Sequence, residues 1–270
     1  MPEDDASSPP CDLDAEFGEA KAVEGIDGVG SMFLATLTAD ERTLYYDSNT
    51  VGQVTPQARM FRAQRNSRTE PFGPATNVVA LSLGSAGRPT LSGDALSIVF
   101  FTDDPPLGLR LSTRSVPTAE FAVVHELSLR SQHGTVTQAA LSFDGRSLYY
   151  AAKDGDAGVF ASTRSGDDFP PGAPVPGLSL DDRPPHVVRD GAVGYFTRVT
   201  SDNKVVDIYH ATRGPDGTFT NVTIEGPTIN TADDEYVCFV SWDGCRLYFN
   251  RRRAQTNNGA LLVAEKPARR

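Results

Sequence analysis

The sequence predicts an all-β chain folded as a five-bladed β-propeller, its last blade closed by a strand from the N-terminus. Three observations lead there. One unit recurs five times at intervals of 46 to 54 residues, its strands are apolar on both faces, and the fourth strand missing from the last unit stands alone at the start of the chain. Blades of four short strands and their loops suit that period.

In its plainest form the unit reads Ser-x-Asp-Gly-x-x-Leu-Tyr-Tyr. Its turn aspartates are Asp40, Asp94, Asp144, Asp190 and Asp243, and an aromatic follows each by six residues: Tyr46, Phe100, Tyr150, Phe196 and Phe249. Leu37, Leu91, Leu141, Val187 and Val240 precede the turn by three, and Leu44, Ile98, Leu148, Gly194 and Leu247 follow it by four; Gly194 is the break. A hairpin across the turn puts these positions on one face. Tyr45, Val99, Tyr149, Tyr195 and Tyr248 then face the other way and are also apolar, so the strands are sandwiched between neighbours rather than half solvated. Ser, Asp and Gly at the turn serve local backbone bonds and a positive φ, which accounts for the five carboxylates without a functional role.

A third strand ends in a small residue and a basic one: Arg65, Arg114, Arg164, Arg213 and Lys266. Phe72, Phe121, Phe169 and Phe219 open the fourth strand in the first four units. The fifth has none after Lys266, but Phe17, Val23 and Ile26 repeat the spacing of Phe72, Val78 and Leu81. A last blade completed by residues 17–26 explains both ends and leaves no open stack. The intervals leave no spare stretch for a sixth blade. The division is therefore a flexible N-terminal segment, 1–16, and a single propeller, 17–270.

Pro89-Thr-Leu-Ser-Gly-Asp94, Leu141-Ser-Phe-Asp-Gly145, Asp207-Ile-Tyr-His-Ala-Thr-Arg213 and Ser241-Trp-Asp-Gly244 resemble the WD40-like repeat of the TolB-type propeller family. Asn230-Thr-Ala-Asp-Asp-Glu235 resembles the acidic loop that precedes its inner strand. Two units depart from the pattern: Glu41 stands where Gly is usual, and Val188-Arg189 precede Asp190. The resemblance implies a bacterial exported protein, periplasmic or at the cell surface, acting as an interaction platform.

The net charge of −10 over 270 residues argues against nucleic acid or anionic membrane as partner, and no apolar run is long enough to insert in a membrane. Residues 1–16 are acidic and Pro-rich, like a linker downstream of a removed export signal. Of the cysteines, Cys238 and Cys245 flank the last turn in diagonal positions that a disulfide would strain. Three unbonded thiols are the favoured reading, with a Cys11 bridge to one of the others as the alternative.

Function is expected at one mouth of the ring, where the loops between second and third strands meet those leading into each blade. Asp104, Asp154, Asp182, Asp234, Glu235 and Arg251 are the candidate ligand-binding residues there, among neighbours such as Asp103, Asp156 and Asp202. The expected activity is non-catalytic recognition of a protein or glycan by a monomer. The alternative is a carbohydrate-active hydrolase using mouth carboxylates, though Trp242, the one tryptophan, lies in a turn at the opposite end. No cofactor is expected, with calcium as the alternative; Asp154-Gly-Asp156 is a fragment of a calcium loop without its later ligands. His125, His133, His186 and His210 show no metal-ligand spacing.

Overall fold

A computed structural model describes residues 10–26, 32–49, 57–129, 135–153, 157–188, 191–200, 205–253 and 259–269. Its strands, in chain order, are β1 (Lys21–Ala22), β2 (Met32–Leu37), β3 (Thr43–Asn49), β4 (Ala58–Gln64), β5 (Thr76–Asn77), β6 (Ala86–Leu91), β7 (Ser97–Thr102), β8 (Gly108–Thr113), β9 (Val123–Glu126) and β10 (Val136–Leu141). They continue with β11 (Ser147–Ala152), β12 (Gly158–Thr163), β13 (Ala173–Pro174), β14 (His186–Val188), β15 (Val193–Val199), β16 (Val206–Arg213), β17 (Phe219–Ile224), β18 (Asp234–Val240), β19 (Arg246–Arg252) and β20 (Gly259–Glu265). Five four-stranded antiparallel sheets result: β2–β5, β6–β9, β10–β13, β14–β17, and a fifth ordered β18-β19-β20-β1. The chain is the predicted five-bladed propeller.

Burial follows the repeat offsets. Leu44, Ile98, Leu148 and Leu247, the aromatics Tyr46, Phe100, Tyr150, Phe196 and Phe249, and the opposite-facing Tyr45, Val99, Tyr149, Tyr195 and Tyr248 are all buried. Second strands are thus covered on both faces, and the hydrophobic contribution is spread over every blade interface. Gly194 breaks the pattern because the Phe219 ring fills its place; a Cβ there would sit 2.5 Å from that ring. Turn aspartates act locally, as at Asp94, whose Oδ1 accepts from Ser92 Oγ (2.6 Å) and the Leu96 N–H (2.9 Å).

Blade contacts reuse the repeat's polar residues. Arg114 Nη1 donates to the Tyr45 hydroxyl of the preceding blade (3.1 Å) and stacks over Phe121, its guanidinium carbon 4.3 Å from the ring centroid. Arg65 does the same with Tyr248 (3.2 Å) and Phe72 (4.4 Å). In the fifth blade Lys266 lies over Phe17 at 4.8 Å, so the N-terminal phenylalanine takes the role of Phe72 and its equivalents. At the turn end, the rings of Phe143 and Trp242, from the non-adjacent third and fifth blades, stack with centroids 4.4 Å apart. Gly93 makes room for them, since a Cβ there would meet the Phe143 ring at 2.4 Å.

Ring closure is an antiparallel seam. Lys21 and Ala22 pair with Val263 and Leu262, the Gly18 N–H donates to the Glu265 carbonyl and the Val23 N–H to that of Leu261, both at 2.9 Å. Within the segment 1–16, the described residues continue this ladder: Asp12 N–H reaches the Pro267 carbonyl (2.7 Å), and Cys11 bridges Ala268. That alignment brings Cys11 to the last turn, where it forms a disulfide with Cys245 (Cα–Cα 5.8 Å). The favoured expectation of three unbonded thiols therefore fails for two of them, because the outermost ribbon reaches one turn further than 17–26. Cys238 remains a buried thiol, its pKa pushed up to about 12 by burial.

Candidate functional site at the axis of the ring

Second-to-third-strand loops and the segments entering each blade share one end of the ring. There a cavity of about 160 Å³ lies on the axis, lined by Leu34, Arg88, Gln138, Lys153, Arg183, Tyr236, Asn250 and Arg252. All five blades contribute: β2, β6, β10 with the end of β11, the segment before β14, and β18 with β19. The inner strands are bent to reach it. Register shifts fall between Met32 and Ala35, Gly87 and Thr90, Val136 and Gln138, and Val237 and Phe239. Such bulges turn side chains away from the ladder and toward the axis.

The bulge in β6 has the most unusual geometry. Arg88 adopts φ 56°, a left-handed conformation that costs a non-glycine residue free energy. Its N–H (3.2 Å) and that of Leu34 (3.0 Å) donate to Asp47 Oδ1. Gly87 is what lets the backbone close round that carboxyl: a Cβ there would meet Asp47 Cγ at 2.8 Å. The Arg88 guanidinium lies 5.4 Å from the Phe101 ring centroid. Burial lowers its pKa, the nearby Arg183 charge adds to that effect, and Asp47 opposes it.

Asp47 is buried, and burial raises its pKa from 3.8 to about 6 against the pull of the Arg88 and Leu34 amides and the Arg88 charge. A carboxyl whose folded pKa is raised contributes stability that is complete below its unfolded value and lost as pH rises through about 6. Asp47→Asn keeps an acceptor for both amides. In pH-dependent thermal melts it should match the parent near pH 4 and exceed it by about 2–3 kcal/mol near pH 8. A stability gap that does not change with pH would contradict this assignment.

None of the described residues singled out from sequence lines this cavity, and Asp182, Asp234, Glu235 and Arg251 are turned toward partners. Asp182 forms a two-pronged pair with Arg198 (2.6 and 3.0 Å) and accepts the Ser179 N–H. Asp234 and Glu235 pair across the β18–β19 ladder with Arg252 and Arg251, each at 2.8 Å. Glu235 also accepts from Thr231 Oγ1 (2.6 Å), and Arg251 donates to the Ile229 carbonyl (2.8 Å). These are cross-strand ion pairs that fasten strand ends. Asp104 is exposed on the β7–β8 loop, away from the cavity lining. Asp154, Asp156 and Asp202 lie outside the described residues.

In the described part of the expected acidic mouth, arginines pair with Asp182, Asp234 and Glu235 while Asp103, Asp104 and Asp181 stay exposed, and the described axial lining is basic. The sequence pattern places Arg183 and Arg252 in mouth loops but does not single out Arg88 and Lys153 as axial residues. A signal was present, since Leu34, Arg88 and Gln138 each precede their turn aspartate by six positions, the offset that faces the axis.

Among the described residues no group of three or more His, Cys, Asp or Glu could hold a metal ion, and no helix is long and apolar enough to cross a membrane. One carboxylate pair stands out beside the cavity. Burial raises the pKa of Asp207, and the charge of Asp234 raises it further. A wider hollow of about 400 Å³ lies at the turn end beside Phe143, Tyr149, Arg213 and Trp242. Ser142 and Asp144 on its rim are occupied by their own turn, with a 2.6 Å hydrogen bond between them.

No family model and no curated protein matches the sequence. Solved structures do match in fold. The catalytic domain of a GH62 α-L-arabinofuranosidase from Coprinopsis cinerea aligns over 93% of this chain and 96% of its own, with TM-score 0.62 and 9% identity. A candidate glycoside hydrolase from Parabacteroides distasonis aligns over 97% of both chains, with TM-score 0.58 and 11% identity. TolB from Acinetobacter baumannii aligns over 89% of this chain but 56% of its own, with TM-score 0.53 and 11% identity. The fold is shared. At such identities the likeness extends no further than architecture.

Proposed function

We propose that this protein is a non-catalytic binding propeller, akin to the TolB-type repeat proteins, that grips a protein or glycan through the axial cavity and its surrounding loops. The observation that carries this reading is the cavity lining, which among the described residues holds four cationic side chains and no carboxylate. Hydrolysis of a glycoside needs two carboxyls facing one bond about 5–9.5 Å apart, whereas Asp182, Asp234 and Glu235 are each committed to an arginine. Export to an oxidising compartment, periplasm or cell surface, fits the Cys11–Cys245 disulfide. We take the functional unit to be a monomer.

The second reading is a carbohydrate-active hydrolase, favoured by the Asp207–Asp234 pair and by the glycosidase neighbours in fold. Two experiments separate the readings. Incubation with aryl glycosides and arabinose-substituted polysaccharides should release no more sugar than an Asp207→Asn control. A glycan array and a pull-down from envelope extract should yield a partner that Arg183→Glu no longer retains. Turnover abolished by Asp207→Asn would establish the enzyme instead.

A further inference from the structure

We propose that the axial cavity is an oxyanion site, built to take the carboxylate or phosphate group of a ligand. The proposal rests on the reading of this mouth as a binding surface and names the chemistry it recognises.

The chain carries a net charge of −10, yet Arg88, Lys153, Arg183 and Arg252 converge on one cavity of about 160 Å³. Repulsion among them is felt within the protein. Arg183 adds to the burial that lowers the Arg88 pKa, and Arg252 and Arg183 both act on the half-buried Tyr236 hydroxyl.

Internal compensation is partial. Arg252 is held by Asp234 and donates to the Tyr236 hydroxyl (2.8 and 2.7 Å). Asp47 lies beside Arg88, its Oδ1 taken up by the Arg88 and Leu34 amides. Among the described residues no carboxylate lies within ion-pairing distance of Arg183 or Lys153. Among the described residues, two cations thus stand at the axis without an ion-pair partner, in a cleft whose low-dielectric walls concentrate their field.

Gln138, Asn250 and the Tyr236 hydroxyl supply neutral hydrogen-bonding groups in the same lining. The volume corresponds to roughly five water molecules, enough for one oxyanion group and the carbon skeleton next to it. Guanidinium groups match the planar oxygens of a carboxylate and the face of a phosphate alike. The two sources are therefore distinguished by the choice of probe.

The test is isothermal titration at low salt with galacturonate, inorganic phosphate and neutral galactose, on the parent, Arg183→Ala, Lys153→Ala and the double variant. Circular dichroism checks that each variant is folded. Binding of galacturonate identifies a carboxylate ligand, binding of phosphate a phosphorylated one, and either supports the site. Arg183→Ala should weaken binding about tenfold, and added salt should weaken it further. The proposal is overturned if neither anion binds better than galactose, or if the double variant binds as the parent does. Should an envelope partner or neutral glycan bind without competition from either anion, the binding reading survives and the oxyanion site does not.

Discussion

Replacing Glu41 by alanine should destabilise the protein by about 3–5 kcal/mol, the usual consequence of stranding one member of a buried ion pair. Glu41 is 1% exposed in the first blade's turn, yet its side chain belongs to the fifth blade. Its carboxylate accepts from Arg246 Nε (2.7 and 3.0 Å) and from the Tyr248 hydroxyl (2.6 Å). Burial alone would lower the Arg246 pKa, but the Glu41 and Asp243 charges raise it instead, while burial and the Glu41 carboxylate both push the Tyr248 phenol upward.

Glu41 also occupies a left-handed position, φ 58°, where Gly145, Gly191 and Gly244 stand in three other turns. Alanine would keep that strain and lose the ion pair; glycine would lose the ion pair but relieve the strain. Glu41→Gly should therefore be less damaging than Glu41→Ala by about 1 kcal/mol. Tyr248→Phe, which leaves Arg246 in place, should cost only about 1 kcal/mol. Urea unfolding at neutral pH measures all three. A loss below about 1 kcal/mol for Glu41→Ala would mean that the pair does not latch the first blade to the last.

The second large effect is expected from opening the disulfide. Cys11 and Cys245 are 234 residues apart, so their bond restricts nearly the whole unfolded chain. On the loop-entropy account it contributes about 5 kcal/mol, the stabilisation growing only slowly beyond loops of about 100 residues. A Cys11→Ser/Cys245→Ser variant should lose that amount, and the parent in reductant should follow it. Strand β1 would remain paired with β20, so the ring should stay closed in native conditions while its unfolding midpoint falls. Thiol titration supplies the control: the folded oxidised protein should react at no cysteine, because Cys238 is buried, and the unfolded oxidised protein at one. An unchanged midpoint after two further thiols have been released would show that the bond adds nothing to the seam.

The fold was legible because a propeller writes its physics into the sequence five times. A strand covered on both faces needs apolar side chains at consecutive positions, and Leu44-Tyr45-Tyr46, Leu148-Tyr149-Tyr150 and Leu247-Tyr248-Phe249 display that need directly. The displaced strand could be found from Phe17, Val23 and Ile26 because its partners recur at the same spacing. Glu41 and Gly194 were visible only as departures. Their reasons, an arginine and a tyrosine from the last blade and the Phe219 ring, lie about 205 and 25 positions away.

The mouth was less legible. Asp182, Asp234 and Glu235 were found as charged loop residues, but sequence does not say whether a carboxylate faces solvent or an arginine sixteen or eighteen residues on. Cross-strand register decides this. Arg252 faces Asp234 and Arg251 faces Glu235, and Arg198 bridges Asp182. What remains at the axis after those pairs form is basic.

By itself, the sequence determined the number of blades, the strands within them, the closing ribbon and the end of the ring where loops converge. These follow from local periodicity and turn chemistry, which each unit carries whole. Tertiary structure decided which cysteines bond, which turn latches the ring and what charge the axis presents. Each of those depends on residues from separate strands or blades meeting at distances that a bulge or a register shift of one position would change, and local periodicity does not contain that information.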